Sequence, residues 1–240
     1  MADMGRKGRT ADMGHDDRRE PIAWSRLFDA RKTIHGQYRR VGDIPLIKSG
    51  SRLLKGMLKD GDSLLDVGAG DRGLKDRIAR MGIHIDYRSM DVDRSARHDF
   101  YDLAAIEGQY DVVVLFEVIE HLGLEEGLSL LTGLARRLKE DGRIVVSTPN
   151  IFTPGRFMRD SSHKTFYSFE ELCGLLAMAG FEIAGVYRSY NDAFHRYVLK
   201  VYLLGFLFRF LSIDYAYSIF AVGKMGSRPP DSSAPSATPL

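Results

Sequence analysis

The chain has 240 residues, 28% of them charged and 44% apolar, which suits one well-buried globular domain with at most a small addition. A formal net charge of +2 excludes a strong electrostatic pull toward nucleic acid or an anionic membrane. With Cys173 as the single cysteine no intrachain disulfide can form, and its apolar helical surroundings make it a core residue of a protein expected in a reducing, cytoplasmic compartment.

Residues 1–20 mix charges with almost no large apolar side chains, lack the apolar run of a signal peptide, and are expected to be disordered. Residues 226–240, rich in Pro, Ser and Ala, are expected to form a loose tail, which leaves 21–225 as a single folded domain. Residues 21–59 carry a helical pattern whose apolar side is Trp24, Leu27, Phe28 and Ile34, then Tyr38, Val41, Ile44 and Leu46. This prelude reads as packed helix with a solvated basic face; capture of substrate over a pocket mouth is the alternative.

Ser63–Val67 reads as a buried strand running into Gly68-Ala69-Gly70-Asp71-Arg72-Gly73. Small residues there let the backbone turn tightly and approach a ligand, with a helix N-terminus facing the same cleft. Asp66, just ahead of the glycines, suits a cationic ligand group and repels phosphate. No Lys-Ser or Lys-Thr follows, so a P-loop is excluded at this place. The Gly68-x-Gly70-x-x-Gly73 spacing keeps a nicotinamide oxidoreductase open as a second class.

A helical stripe of Leu74, Ile78, Ala79 and Met81 stops at Gly82, and a second strand over 83–90 ends at Asp91. A carboxylate at that tip can accept both ribose hydroxyls of a nucleoside. Asp99, Phe100, Tyr101 and Asp102 gather where a third strand should end. An aromatic ring beside an acceptor can stack on adenine and take its amino hydrogen; a surface turn with one buried ring is the plainer reading. Tyr110–Phe116 reads as a strand covered on both faces. A helix over 128–138 closed by Lys139 to Gly142, a strand over 143–147, a loop over 151–165, a helix over 169–179 capped by Ser168, and strands over 181–187 and 217–222 complete the chain. The alternation predicts an α/β fold, a Rossmann-like, mainly parallel seven-stranded sheet with helices on both faces and its ligands beyond the carboxyl ends of the strands.

Immediately beyond Phe116 stand Glu117, Glu120 and His121, with His163 in the later loop as a further member. Positions three and four apart share a side of a turn or helix, so these groups suit metal binding or general base work. In the plainer reading Glu117 shapes the cofactor pocket, Glu120 pairs locally and His121 orients a loop. The expectation adopted is proton handling by Glu117, His121 and His163 without a metal.

Taken together, these residues resemble the class I S-adenosylmethionine-dependent methyltransferases, particularly the small-molecule group that contains quinone-biosynthesis enzymes. Residues 64–73 resemble the first motif of that family, and Asp91 stands where its ribose-binding acid falls. Residues 110–113 with 117–122 are similar to its fourth-strand region, and 163–172 to the stretch before its late helix. The resemblance implies S-adenosylmethionine as cofactor, with the backbone around Gly68, Ala69 and Gly70 on the methionine part, Asp91 on ribose, and Asp99 with Phe100 at the adenine end. Asp66, Val92 and Phe116 complete the implied cofactor contacts. An acceptor atom would displace the sulfonium methyl, oxygen being weakly favoured, with His121, His163 or Glu117 taking the proton. The Glu-x-x-Glu-His run also resembles the metal ligands of small-RNA 2′-O-methyltransferases, although RNA binding wants a larger basic or stacking surface than this composition offers. A non-catalytic cofactor-binding partner protein is the remaining alternative.

Residues 194–213 are unusually apolar and aromatic for an insertion ahead of a final strand, and their unbroken apolar stretch, 201–208, is too short to span a bilayer. They read as a helix packed on the fold or on a homodimer partner, as a lid for a lipid-like acceptor, or as an interfacial helix. The expected partner is a small-molecule or lipid-like acceptor; peripheral contact with the inner face of a membrane through 194–213 and a homodimer are open alternatives, and nucleic acid is disfavoured.

Overall fold

The computed structural model describes residues 24–190 and 192–225; the segments 1–20 and 226–240, expected to be disordered, lie outside the described residues. Seven strands form one sheet: β1 (Leu46–Ile47), β2 (Ser63–Val67), β3 (Asp86–Met90), β4 (Tyr110–Phe116), β5 (Leu138–Pro149), β6 (Phe181–Ser189) and β7 (Ser218–Met225). Their order is β1-β6-β7-β5-β4-β2-β3, and every neighbouring pair is parallel except those of β7, which runs antiparallel to both β5 and β6.

Strand periodicity divides the apolar side chains between two faces. Leu65, Val67, Val113 and Leu115 point to a core closed by α4 (Leu124–Ala135) and α5 (Phe169–Met178). Leu64, Val112 and Val114 point to the opposite core, closed by Leu54 of α2 (Gly50–Lys55) and Leu74 and Ile78 of α3 (Gly73–Ala79). The first helix, α1 (Trp24–Gln37), lies against α5 as a second layer. Gly174 makes the close approach possible, since a Cβ there would lie 2.7 Å from Cδ1 of Leu27. Arg31 pairs with Glu171 at 3.8 Å and His35 with Glu170 at 3.5 Å across the same contact.

Three expectations about the elements are corrected. No third strand ends near Asp99, where a single parallel bridge joins Met90 and Phe100. In this stretch backbone donors go to carboxylates instead of a ladder: Ser95 N–H to Asp93, and Ala105 N–H to Asp102 at 2.7 Å. The seventh strand is β1, a two-residue edge inside the segment read as helical. The helix expected over 128–138 is α4, which begins at Leu124, where the Glu126 carboxylate accepts the Gly123 N–H at 2.8 Å, and ends at Ala135. Residues 138–142 instead enter β5, Leu138 pairing with Tyr110 before the ladder resumes at Val112 and Arg143 across a bulge.

The topology positions the site. The chain places β3 on one side of β2 and β4 on the other, so a crevice opens between the carboxyl ends of β2 and β4. Because β7 is antiparallel, the connection from β6 to β7 lies at that same edge. It contains α6 (Phe194–Val198), a π-helical turn (Leu199–Leu203) and α7 (Gly205–Phe210). Buried polar contacts hold its base: Arg188 to Asp214 at 2.6 Å and Asn150 to Asp214 at 2.8 Å. One side of this segment packs on the fold, Tyr197 stacking on Tyr190 at 4.3 Å and Phe208 meeting Tyr215 at 5.3 Å, while Val198, Leu199, Tyr202, Leu203, Phe206, Leu207, Phe210 and Leu211 remain exposed. Among the described residues no helix is long and apolar enough to cross a membrane.

Candidate active site

Where β2 ends, Gly68 and Gly70 adopt positive φ of 72° and 48°, conformations that side-chain-bearing residues rarely enter. The N–H groups of Gly68 and Ala69 donate to the Met90 carbonyl at 2.8 and 3.2 Å, stitching the loop to the tip of β3. A Cβ at Gly68 would collide with the Val118 side chain, whereas one at Gly70 would meet nothing within 4 Å and would fill the open cleft.

Asp91 closes the same corner. Its Oδ2 accepts the Gly70 N–H at 2.8 Å and its Oδ1 the Asp93 N–H at 2.9 Å. A carboxylate offers about four acceptor positions, so capacity remains for two hydroxyls. Val92, beside it, is exposed. Asp99 accepts the N–H and hydroxyl of Ser89 at 2.9 and 2.8 Å. Against the effect of burial, those bonds and the Arg72 and Arg88 charges hold its carboxyl below the usual carboxylate range. Asp102 accepts the Ala105 N–H at 2.7 Å, and Phe100 is joined to the end of β3 by its bridge with Met90.

Two of the cofactor candidates point elsewhere. Asp66 shares its face with Leu64, so its side chain turns under α3 and not into the cleft; it is 4% exposed and accepts the Tyr87 hydroxyl at 2.6 Å. Burial pushes its carboxyl up to about 6, opposed by the Tyr87 bond and the Arg77 charge. Phe116 packs edge-to-face on Phe220, with ring centroids 5.4 Å apart, on the α2 side of the sheet. His98, given no role by the sequence, is buried beneath this region with neither ring nitrogen hydrogen-bonded among the described residues.

Beyond β4 the chain turns sharply. Glu117 has φ of 56°, uncommon for a residue with a side chain and a frequent mark of functional sites. Its N–H donates to the Ser147 carbonyl at 3.2 Å, its Oε1 accepts the Ser147 hydroxyl at 2.9 Å, and Arg156 stands 3.8 Å from Oε2. Burial raises the Glu117 carboxyl above its ordinary value despite these partners. A 3-10 turn (Ile119–His121) follows and buries Glu120 completely. Burial first, and the neighbouring Glu117 second, push the Glu120 carboxyl up to about 8.

The loop after β5 supplies the other side. Lys164 and Thr165 donate their N–H groups to the Glu120 carbonyl at 2.7 and 3.1 Å, tying loop to turn. His163 Nδ1 donates to the Phe157 carbonyl at 2.8 Å, so in the neutral ring the lone pair is on Nε2. Nε2 stands 4.0 Å from Glu120 Oε1 and 3.9 Å from Asp160 Oδ2. Ser162 donates its hydroxyl to Asp160 at 2.6 Å and therefore accepts from His121 Nδ1 at 2.9 Å, which leaves the His121 lone pair on Nε2 as well. The two imidazoles meet edge-to-face at 4.9 Å. Glu120, His121 and His163 are thus brought together, while Glu117 is turned to Ser147 and Arg156. The orienting partners Phe157, Asp160 and Ser162 were missed because their loop has no periodicity, and only the Asp-x-Ser spacing could have flagged a local turn.

Residues 39–185 match the family of the methyltransferase domain. The chain belongs to that family. The fold of this methyltransferase domain is similar to that of a SAM-dependent methyltransferase from Archaeoglobus fulgidus, 17% identical with a TM-score of 0.56 over 81% of this chain and 94% of that one. It is also similar to a methyltransferase from Haloferax volcanii solved with a methyltransferase activator, 16% identical with a TM-score of 0.55 over 85% and 97% of the two chains. A methyltransferase from Bacillus halodurans is 13% identical with a TM-score of 0.52 over 74% and 98%. No curated protein matches the chain.

The cofactor of the methyltransferase domain is S-adenosylmethionine, which decides against a nicotinamide carrier. The residues present fit it. Gly70 leaves open space at the end of β2, and Asp91, at the end of β3, keeps acceptor capacity beside it. The mainly parallel seven-stranded sheet with helices on both faces is the one the sequence led to.

Proposed function

We propose that this enzyme methylates a hydroxyl oxygen of a lipid-like acceptor presented at the inner face of a membrane. One observation carries the reading: the β6–β7 connection, at the same edge of the sheet as the cofactor cleft, exposes Tyr202, Phe206 and Phe210 at 77%, 73% and 83%. Arg209 stands exposed among them, so an apolar face bordered by a cation suits the boundary of acyl chains and anionic headgroups. Met158 and Phe166, exposed in the loop that bears His163, extend apolar surface to the acceptor side.

When bound, S-adenosylmethionine supplies a methyl group on positively charged sulfur, which an acceptor lone pair displaces in line, leaving S-adenosylhomocysteine. The chain's own work is to hold and exclude. In this reading the backbone of Gly68, Ala69 and Gly70 holds the methionine end, Asp91 the ribose hydroxyls, and Asp99, Phe100 and Val92 the adenine end. The acceptor hydroxyl sits beside Glu117, His121 and His163, one of which takes its proton.

Sedimentation with anionic vesicles tests the reading, together with S-adenosylhomocysteine release from a phenol on an isoprenoid chain and from the same phenol without the chain. Wild type should bind vesicles and prefer the long acceptor. Phe206→Glu should abolish sedimentation and lower turnover of the long acceptor about tenfold or more, the worth of burying one aromatic side chain, while the short phenol is unaffected. A wild type that ignores vesicles, or a patch found covered in a stable homodimer, overturns it.

A further inference from the structure

We infer that Glu120, His121 and His163 form a binding site for one divalent transition-metal ion of the zinc type, through two imidazole nitrogens and one carboxylate oxygen. Each residue offers one ligand atom, and these atoms all lie within 4.8 Å of one another. Around a zinc-sized ion the ligand atoms stand about 3.4 Å apart, so small inward side-chain rotations close the site.

Three observations independent of that spacing point the same way. Glu120 is 0% exposed and neither of its oxygens is hydrogen-bonded among the described residues. A buried carboxylate without a donor is costly, and a cation at the cluster removes the cost. Next, both imidazoles are held at Nδ1 by outer partners, His163 by the Phe157 carbonyl and His121 by Ser162, which is itself fixed by Asp160. That is the arrangement that orients metal-ligating histidines and presents Nε2 as the donor. Finally, Glu117 is turned away to Ser147 and Arg156, so the protein supplies three ligands and not four. Two nitrogens and one oxygen favour a zinc-type ion over magnesium or calcium, which prefer oxygen, and a three-ligand set leaves a coordination position open.

The cluster adjoins the tip of β4, at the edge of the cofactor cleft. An acceptor oxygen fits the open position, a clause that rests on the proposed function, and Glu117 is then the group left to take its proton. Metal binding itself does not depend on the acceptor.

The test uses the full chain, stripped with a chelator and dialysed, then titrated with Zn2+ against a chromophoric chelator, with Co2+ as a spectroscopic probe. One ion per chain is expected, with the intense visible bands of low-coordinate Co2+. Glu120→Gln and His163→Gln should each weaken Zn2+ binding by at least about tenfold, and so should Ser162→Ala, which touches only the outer partner of His121. Glu117→Gln should retain the ion. Circular dichroism and S-adenosylmethionine affinity confirm that the variants are folded, and Ser162→Ala keeps the test open should a ligand variant fail to fold. No stoichiometric ion, an affinity unchanged across the variants, or binding of Mg2+ alone overturns the site. Zn2+ binding without turnover of hydroxyl acceptors would sink the acceptor reading and leave the site. Undiminished turnover by a chain that retains no Zn2+ would do the reverse.

Discussion

Gly68→Ala isolates the physics of the cofactor loop. At φ of 72° an alanine occupies the left-handed region, at a cost of about 1–2 kcal/mol. Its Cβ also lands on the Val118 side chain, and overpacking of this kind costs about 1–3 kcal/mol. The sum, about 2–5 kcal/mol, should appear as a lowered urea midpoint with an unchanged slope. Only the overlap can be relieved by trimming its partner. In the Gly68→Ala background, Val118→Ala should therefore recover about 1–3 kcal/mol relative to its effect in wild type, while the backbone cost stays. Calorimetry with S-adenosylmethionine should follow the same order: weak binding in Gly68→Ala, partial recovery in the double variant. Additive effects of the two substitutions, or a Gly68→Ala midpoint equal to wild type, would refute the reasoning.

Three further outcomes are expected. Asp91→Ala leaves the Gly70 and Asp93 N–H groups without their acceptor and, if Asp91 holds the ribose, should weaken S-adenosylmethionine binding about 10- to 100-fold by calorimetry while the chain stays folded. Asp66, pushed up to about 6 from an ordinary 3.8, holds its proton more tightly folded than unfolded. Its contribution to stability is present below pH of about 4 and is lost as pH rises through about 6, a loss of about 3 kcal/mol. Asp66→Asn should flatten that part of the stability curve measured by urea denaturation between those pH values. Arg188→Met removes the 2.6 Å partner of buried Asp214 and the donors to the Ile44 and Gly42 carbonyls at 2.9 and 3.0 Å. It should destabilise by about 3–5 kcal/mol in the same assay, and adding Asp214→Asn should return part of it.

What could be read from sequence was local in origin. The glycine loop, the buried strands around Leu65 and Val113, and the Ser168 cap, which accepts the Glu171 N–H at 3.2 Å, each declare themselves within a few residues. What could not be read depends on distant partners. The edge strand at Leu46 and Ile47 exists because Arg188 and Ser189 lie beside it, and two residues carry no period. The tail of β5 reads as the end of a helix until Tyr110 pairs with Leu138. For Asp66, proximity to the glycines suggested a ligand contact, whereas strand alternation, which puts it on the same side as Leu64, sends it to Tyr87. The Glu-His run was visible, but which members converge was not, because the loop bearing His163 is placed by bonds to the Glu120 carbonyl more than forty residues earlier.

The antiparallel seventh strand carries a consequence for how such a protein changes over generations. Tyr217 N–H meets the Ser189 carbonyl at 2.7 Å, so the excursion between the last two strands leaves and re-enters the sheet through one narrow neck. Beyond that neck, and above the buried contacts of Asp214 that fasten its base, the stretch over 194–211 can lengthen, shrink or be replaced at little entropic expense, since loop closure grows only slowly with length. The nucleoside-holding half need not shift by an atom. Such a molecule resembles a fixed handle with an interchangeable head, and grafting a relative's head onto this handle is the direct route to a new substrate.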